Sequence, residues 1–525
     1  MKTTKKISII NLIPISGLFL GLSWPPSHNY LLLFIAFVPL LYILNKHTYC
    51  TWKIFVISFI NFLTFTLITL YWIYNAGQEF GMGVSLALVG AVSIVTSILM
   101  SLIVSVSYYI STILRTKLYL YSSLIAIWLS YEYLNFNWDL HFPWLSLGNG
   151  LVVKHQIIQW YEFTGVLGGS LWVLLVNILI YEVLISKHIK TLKIKIIALL
   201  TIVIVPTYIS STIYANYKSP GTNTIKVAIV QPNLDPYKQK FDRSMLNNNL
   251  NNIIELTERI VTEDTKLVVW PETVFFDPVN ENHIINNRLI SHLRKTILNK
   301  PNISLITGIT TTKYDDNAYK VYNSAILLKG PDKDIQIYHK NKLVPFVESM
   351  PYPQIMANVN KLIPIWGNGG LYTASNESNL FKVNDLKIAI GICYDSIFGN
   401  LIASSVNKGA NLISIITNDG WWKDTDGYKQ HALYAKLLAI ANRKSVVRSA
   451  NTGISEFVNE RGDILQATKW NEAIAISSDI TINDSQTFYS KHNDYIAIIA
   501  IYIFALLLIM ASIYKLKVYT CKYRN

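Results

Sequence analysis

Eight stretches of this chain are apolar and long enough to cross a lipid bilayer, and they limit the fold before any motif is read. They cover residues 7–23, 30–45, 54–75, 83–112, 118–134, 166–186, 194–214 and 495–514. A spanning helix needs about 20 mostly apolar residues. The composition agrees: 51% of the residues are hydrophobic and 15% are charged, too apolar for an ordinary soluble chain. The fifth stretch is short and carries Glu132. The first follows MKTTKK and has the opening of a signal peptide. No small-residue cleavage site follows it (SWPPSHNY does), so an uncleaved helix is expected.

The basic residues orient these helices. Lys2, Lys5 and Lys6 precede the first. Lys46 and Lys53, Arg115 and Lys117, and Lys187, Lys190, Lys193 and Lys195 fill every second loop. Lys515, Lys517, Lys522 and Arg524 follow the last. The intervening loops, 23–29, 75–82 and 135–165, hold only Lys154. Lys and Arg stay on the cytoplasmic side, so both termini are expected in the cytoplasm. Residues 215–494 are then exported between helices 7 and 8. A net charge of +14 invites a nucleic-acid reading. The exported segment, however, holds 30 Lys and Arg against 27 Asp and Glu. Most of the excess is topological, and no nucleic-acid partner is expected. Three scattered cysteines, Cys50, Cys393 and Cys521, support neither a disulfide framework nor a zinc site.

The exported segment changes character. Residues 226–231, 266–270, 304–309, 324–328, 387–392, 411–417 and 445–450 are short β-branched runs that read as strands. Residues 247–263 and 430–444 have helical apolar spacing. Such alternation suits a layered α/β domain. The expected organisation is a seven-helix membrane domain over 1–214, a catalytic α/β domain over 215–494, and an eighth transmembrane helix with a basic cytoplasmic tail over 495–525.

Three polar residues stand at strand ends, where α/β folds build their sites. Glu272 follows KLVVWP, Lys340 follows IYH, and Cys393 follows KIAIGI. A carboxylate can take a thiol proton, and the thiolate can attack a carbonyl. An ammonium lowers the thiol pKa and stabilises an oxyanion. Each residue alone reads as filler or as solvated surface.

The motifs VAIVQPN, VVWPET, YHKNKLVPFVE, GICYDSIF and ITNDGWW, followed by QH and RSANTG, give the combination specificity. The exported segment resembles the nitrilase superfamily of carbon–nitrogen hydrolases. End to end, the chain is similar to the bacterial apolipoprotein N-acyltransferases, and HFPWLSLGNG (141–150) looks like their Pro-Trp loop. The resemblance implies an αββα sandwich and a triad of Glu272, Lys340 and Cys393. Lys340, rather than Lys342, stands eight residues before Glu348, as the family's lysine stands before the acid of LVPFGE. Glu348 would be a second essential acid, and the Tyr394 amide would donate to the oxyanion. Three positions depart from the family pattern: Val347 replaces glycine, Asp395 replaces glutamate, and Phe241 replaces tryptophan.

The reaction implied is ping-pong acyl transfer. The donor would be a membrane phospholipid, typically phosphatidylethanolamine. The acceptor would be the α-amine of the S-diacylglyceryl cysteine that opens an apolipoprotein. Phe241, Phe346, Trp421 and Trp422 would line the substrate site; for the tryptophan pair, interfacial anchoring is an equal reading. No metal or cofactor is called for, and His431 reads as a structural helix residue. A monomer in the bacterial inner membrane, catalytic domain on the periplasmic side, is expected. The alternative is a membrane-anchored nitrilase-type amidase or hydrolase with water as acceptor. A non-catalytic sensor and a transporter are weaker readings.

Overall fold

The computed structural model describes residues 12–46, 49–78, 81–221, 223–240, 242–299, 302–315, 318–330, 334–354, 372–377 and 379–522. Contacts divide the chain into two compact units. One comprises Met1–Asn135, Trp144–Ala215 and Asp494–Asn525; the other comprises Phe136–Pro143 and Asn216–Asn493. The stretch 141–150 is therefore divided between them after Pro143.

The first unit is helical. It holds α1 (Ile15–Ser23), α2 (Val38–Lys46), α3 (Thr51–Leu70), α4 (Met82–Leu114), α5 (Lys117–Asn137), α6 (Tyr161–Leu184) and α7 (Ile189–Asn216), with a C-terminal helix Tyr495–Lys522. Among the described residues, five helices are long and apolar enough to span a membrane: α3, α4, α6, α7 and the C-terminal helix. Three of the eight expected stretches are not among them, for three different reasons. Residues 7–11 of the first stretch lie outside the described residues, and α1 begins only after Pro14. The second stretch is a 3-10 turn, Tyr30–Phe34, followed by the nine-residue α2, which takes Pro39 in its first turn. The fifth, α5, is 21 residues long but mixes Lys117, Glu132 and several tyrosines and serines into its apolar run.

Broken backbone in an apolar environment needs partners, and here it has them. Asn177 on α6 accepts from the Phe37 N–H (2.8 Å) and donates to the Leu33 carbonyl (2.9 Å), bridging the break in the second stretch. The buried Glu132 carboxylate accepts from Trp128 Nε1 (2.9 Å), Leu147 N–H (2.9 Å) and Ser170 Oγ (2.6 Å). It thereby organises the turn after α5.

The second unit is a four-layer αββα sandwich. One sheet contains β1 (Thr224–Gln231), β2 (Thr265–Val269), β3 (Phe275–Asn280), β4 (Ser304–Asp315), β5 (Ala318–Lys329), β6 (Ile335–His339) and β13 (Ile474–Thr481). Its order is β13-β1-β2-β4-β5-β6, with β3 beside β4. The other contains β7 (Phe381–Val383), β8 (Leu386–Ile392), β9 (Leu412–Thr417), β10 (Val446–Ala450), β11 (Glu456–Val458) and β12 (Ile464–Ala467), in the order β12-β11-β10-β9-β8-β7. β1, β2 and β4 are parallel, as are β8, β9 and β10. β5 runs antiparallel to both β4 and β6, so β6 points the same way as β4.

The central strands read as continuous apolar runs because both faces are buried. Val227 and Ile229 of β1 pack with Ile388, Ile390 and Ile392 of β8 in the core between the sheets. Ala228 and Val230 face the other way, toward Ile253 of α8 (Leu246–Ile260) and Ile290 of α9 (Arg288–Thr296). Behind the second sheet, Ala389 meets Ile402 of α10 (Gly399–Asn407) and Leu438 of α11 (Asp426–Asn442). The short helix α12 (Phe488–His492) ends the unit. All seven runs read as strands are strands. The remaining strands, β3, β6, β7, β11, β12 and β13, were not read from the sequence.

Candidate active site

The catalytic candidates stand where parallel strands end. Glu272 lies three residues past β2, Lys340 one past β6, and Cys393 one past β8. Two features fix the Glu272 turn. Trp270 is fully buried, and its Nε1 donates to Thr257 Oγ1 on α8 at 2.9 Å. The turn then wraps Gly308 of β4, whose N–H donates to the Pro271 carbonyl at 3.1 Å and whose carbonyl accepts from the Val274 N–H at 3.1 Å. A Cβ at Gly308 would lie 2.3 Å from the Thr273 nitrogen and 2.6 Å from Glu272 Cα. Only glycine allows that approach.

Lys340 joins two acids. Its Nζ donates to Glu272 Oε1 at 3.3 Å and to Glu348 Oε1 at 2.9 Å. The Asn323 amide on β5 donates to the same pair of oxygens, at 2.8 and 3.1 Å. Glu348 Oε2 in turn accepts from the Val344 N–H at 2.8 Å, which closes its own loop. Val347 does not need glycine's freedom: it is exposed, and the left-handed residue of this loop is Phe346, with φ 65°. Phe346 is half-buried, and its N–H donates to the Ser349 carbonyl at 2.8 Å.

Cys393 opens a 3-10 turn, Cys393–Ile397, with φ 47°. A left-handed non-glycine residue costs about 1–3 kcal/mol and persists only where its surroundings impose it. Three residues of the turn supply those surroundings. Asp395 Oδ1 accepts from the Lys342 N–H at 2.7 Å, and Oδ2 accepts from the Tyr338 hydroxyl at 3.0 Å and the Ile392 N–H at 3.3 Å. The shorter acid therefore reaches both the lysine loop and the end of β8. Tyr394 donates its hydroxyl to the His141 carbonyl at 2.7 Å, within the same compact unit. Its N–H belongs to the first residues of a helical turn, whose donors have no acceptor inside the turn. Ser396 Oγ donates to the Cys393 carbonyl at 2.6 Å.

The charges sort by environment. Burial pushes the Cys393 thiol well above its usual range; the Glu272 carboxylate adds to that, and Lys340 opposes it. Burial also raises Glu272, but Lys340, Lys240 and Asn323 outweigh it and hold the carboxyl below its ordinary value. Burial disfavours the Lys340 ammonium, yet Glu348 and Glu272 lift it well above the usual lysine range. The resting site thus favours a neutral thiol, an ionised carboxylate and a fixed cation. That is the protonation state from which a carboxylate can deprotonate a nucleophile.

Among the substrate-lining candidates, Phe241 lies outside the described residues. Trp421 and Trp422 are half-buried in the 3-10 turn Asp419–Trp422. The Trp421 carbonyl accepts from the Tyr237 hydroxyl at 2.9 Å, and the Trp422 ring meets His431 edge-on at 5.4 Å. Lys240 was missed, although it adjoins Phe241. It is buried, and its Nζ donates to the Glu272 carbonyl at 2.9 Å. Burial lowers its pKa to about 8. Asn323 and Gly308 were missed as well; each is an ordinary strand residue until the neighbouring loops are placed.

Residues 226–489 match the carbon–nitrogen hydrolase family, and residues 16–179 match the apolipoprotein N-acyltransferase N-terminal domain. The chain is 28% identical to the apolipoprotein N-acyltransferase of Chlorobaculum tepidum, covering 95% of this chain and 96% of that protein. It is 26% identical to that of Geobacter metallireducens, covering 92% and 91%. A solved structure of a Saccharomyces cerevisiae member of branch 10 of the nitrilase superfamily covers 53% of this chain and 96% of its own, with 20% identity and a TM-score of 0.37. With the match running from β1 into α12 and a second match over the leading helices, this chain belongs to the carbon–nitrogen hydrolase family.

Proposed function

We propose that this protein is an apolipoprotein N-acyltransferase that moves a fatty acyl chain through Cys393. Relatives bearing that name align over nearly the whole chain, and the N-terminal domain particular to them is present. The observation that carries the chemistry is the Lys340 ammonium held between Glu272 and Glu348, beside a strained Cys393.

In the first half-reaction, Glu272 takes the thiol proton and the thiolate attacks an ester carbonyl of a phospholipid, for which phosphatidylethanolamine is the expected donor. The oxyanion forms against the Tyr394 N–H and the Lys340 ammonium. Collapse breaks the ester C–O bond, and the lysophospholipid oxygen leaves with the proton that Glu272 had taken. In the second, the α-amine of an S-diacylglyceryl cysteine attacks the thioester. Glu272 accepts the amine proton and returns it to the departing thiolate, and an amide is released. Glu348 and Asn323 keep Lys340 aligned through both halves. Phe346, Trp421 and Trp422 are assigned to the acyl-chain side of the site.

We also assign all eight apolar segments to the bilayer and the catalytic unit, 215–494, to the periplasmic side of the inner membrane. The fifteen cations confined to alternate loops and the termini support this. The protein is expected to act as a monomer.

The test is Cys393→Ala in purified enzyme supplied with phospholipid and a diacylglyceryl peptide. The variant is expected to leave the peptide amine free, while wild type yields the N-acylated peptide. Wild-type N-acylation by the variant would refute the mechanism, and free fatty acid as the sole wild-type product would make the enzyme a hydrolase.

A further inference from the structure

Three motif residues take no part in the chemistry above, yet they converge beneath the nucleophile. Asp419, from ITNDGWW, His431, from the QH pair, and Arg448, from RSANTG, have fully buried side chains. His431 Nδ1 lies 2.9 Å from Asp419 Oδ1, and Arg448 Nη2 donates to Asp419 Oδ2 at 2.7 Å. Gly453, at φ 138°, makes room for that carboxylate: a Cβ there would lie 2.7 Å from Asp419 Oδ2. A buried carboxylate this well paired is fixed in place.

Two arms run from it to Cys393. Along one, His431 Nε2 donates to the Cys393 carbonyl at 3.2 Å and lies 3.0 Å from Ser396 Oγ, which holds the same carbonyl. Along the other, Thr417 Oγ1 donates to Asp419 Oδ1 at 2.9 Å, and hydrogen bonding from Thr417 favours the ionised Cys393 sulfur. A hydroxyl has one proton and two lone pairs. With its proton on Asp419 in the resting site, it can turn and donate to sulfur when the thiol ionises. One end of the cluster grips the backbone that sets the left-handed φ of Cys393, and the other grips the atom that reacts.

We propose that Asp419 is the hub of a positioning cluster, acting through His431 on the Cys393 carbonyl and through Thr417 on its thiol. None of the three touches substrate; they aim the sulfur at the acyl carbonyl and keep the Tyr394 N–H behind it. The inference rests on Cys393 being the nucleophile.

The test compares Thr417→Val, His431→Ala, His431→Gln and Asp419→Asn in the full-length enzyme. Three quantities are read: kcat and KM for acyl transfer, the rate of Cys393 alkylation by iodoacetamide, and Tm. Misplacing a reacting group by about 1 Å costs on the order of 100-fold. Thr417→Val and His431→Ala are each expected to lower kcat and the alkylation rate by about tenfold or more, with KM within about twofold. His431→Gln keeps a donor for the carbonyl and should recover most of the loss. Asp419→Asn should lose as much as both arms together. If it fails to fold, the Thr417 and His431 variants decide. Unchanged kcat and alkylation in Thr417→Val and His431→Ala, whatever their Tm, would overturn the positioning role. If Cys393→Ala itself retained acyl transfer, it is the nucleophile assignment that would fail.

Discussion

At the scale of single residues, burial and pairing divide the ionisable groups into distinct roles. Asp395 is a site carboxyl whose titration is pushed up toward working pH. Burial raises its carboxyl from 3.8 to about 6, although Lys340 and three hydrogen bonds oppose the rise. Its two oxygens face only donors, so a proton added there displaces the Lys342 N–H, the Ile392 N–H or the Tyr338 hydroxyl. Below pH 6, kcat/KM for acyl transfer is therefore expected to fall by about tenfold per unit. Stability moves the other way. The folded pKa lies above the unfolded one, so this group's contribution is full below the unfolded value and is lost as pH rises through about 6. A pH–rate profile beside a pH–Tm profile checks both signs. An acid limb below pH 4.5 would instead point to Glu272, whose carboxyl is held under its ordinary value.

At the scale of elements, the site depends on how closely loops pass over strands. The Glu272 turn lies against β4 only because Gly308 carries no side chain. Gly308→Ala is expected to destabilise the catalytic unit by about 1–3 kcal/mol. Because it displaces Glu272, the proposed base, it should also cut kcat far more than a distant substitution of equal ΔTm. Thermal unfolding and steady-state kinetics on one preparation separate the two effects. Element scale is also where the sequence was most and least legible. The central strands announce themselves because both faces are apolar, and the ends of β2 and β8 carry Glu272 and Cys393 as read. β6 and β13 lie at sheet edges with mixed faces and carry no such signal. The role of Asn323 depends on β5 running antiparallel to β4 and β6, which no local pattern records. His431 read as a helix residue because its partners, Asp419 and Arg448, are 12 and 17 positions away in sequence. The break in the second apolar stretch is invisible to hydropathy because Asn177, 140 residues later, satisfies it.

At the scale of the whole molecule, one chain joins a set of apolar helices to an αββα hydrolase-type domain and carries nearly all its surplus cations at its helix ends. That pattern predicts which parts face which compartment. Protease added outside spheroplasts is expected to cut within 215–494 and to spare the Lys187–Lys195 loop; the reverse would invert the assigned topology. Joining a reactive thiol to bilayer-held helices makes sense if the thiol carries a lipid chain between two membrane-held substrates. Mass spectrometry of the Cys393 peptide, after wild-type enzyme meets phospholipid without acceptor, tests that most directly. The expected peptide is heavier by one fatty acyl group, lost on adding a diacylglyceryl peptide and absent in Glu272→Gln. An unmodified Cys393 peptide from enzyme that still N-acylates its acceptor would contradict it.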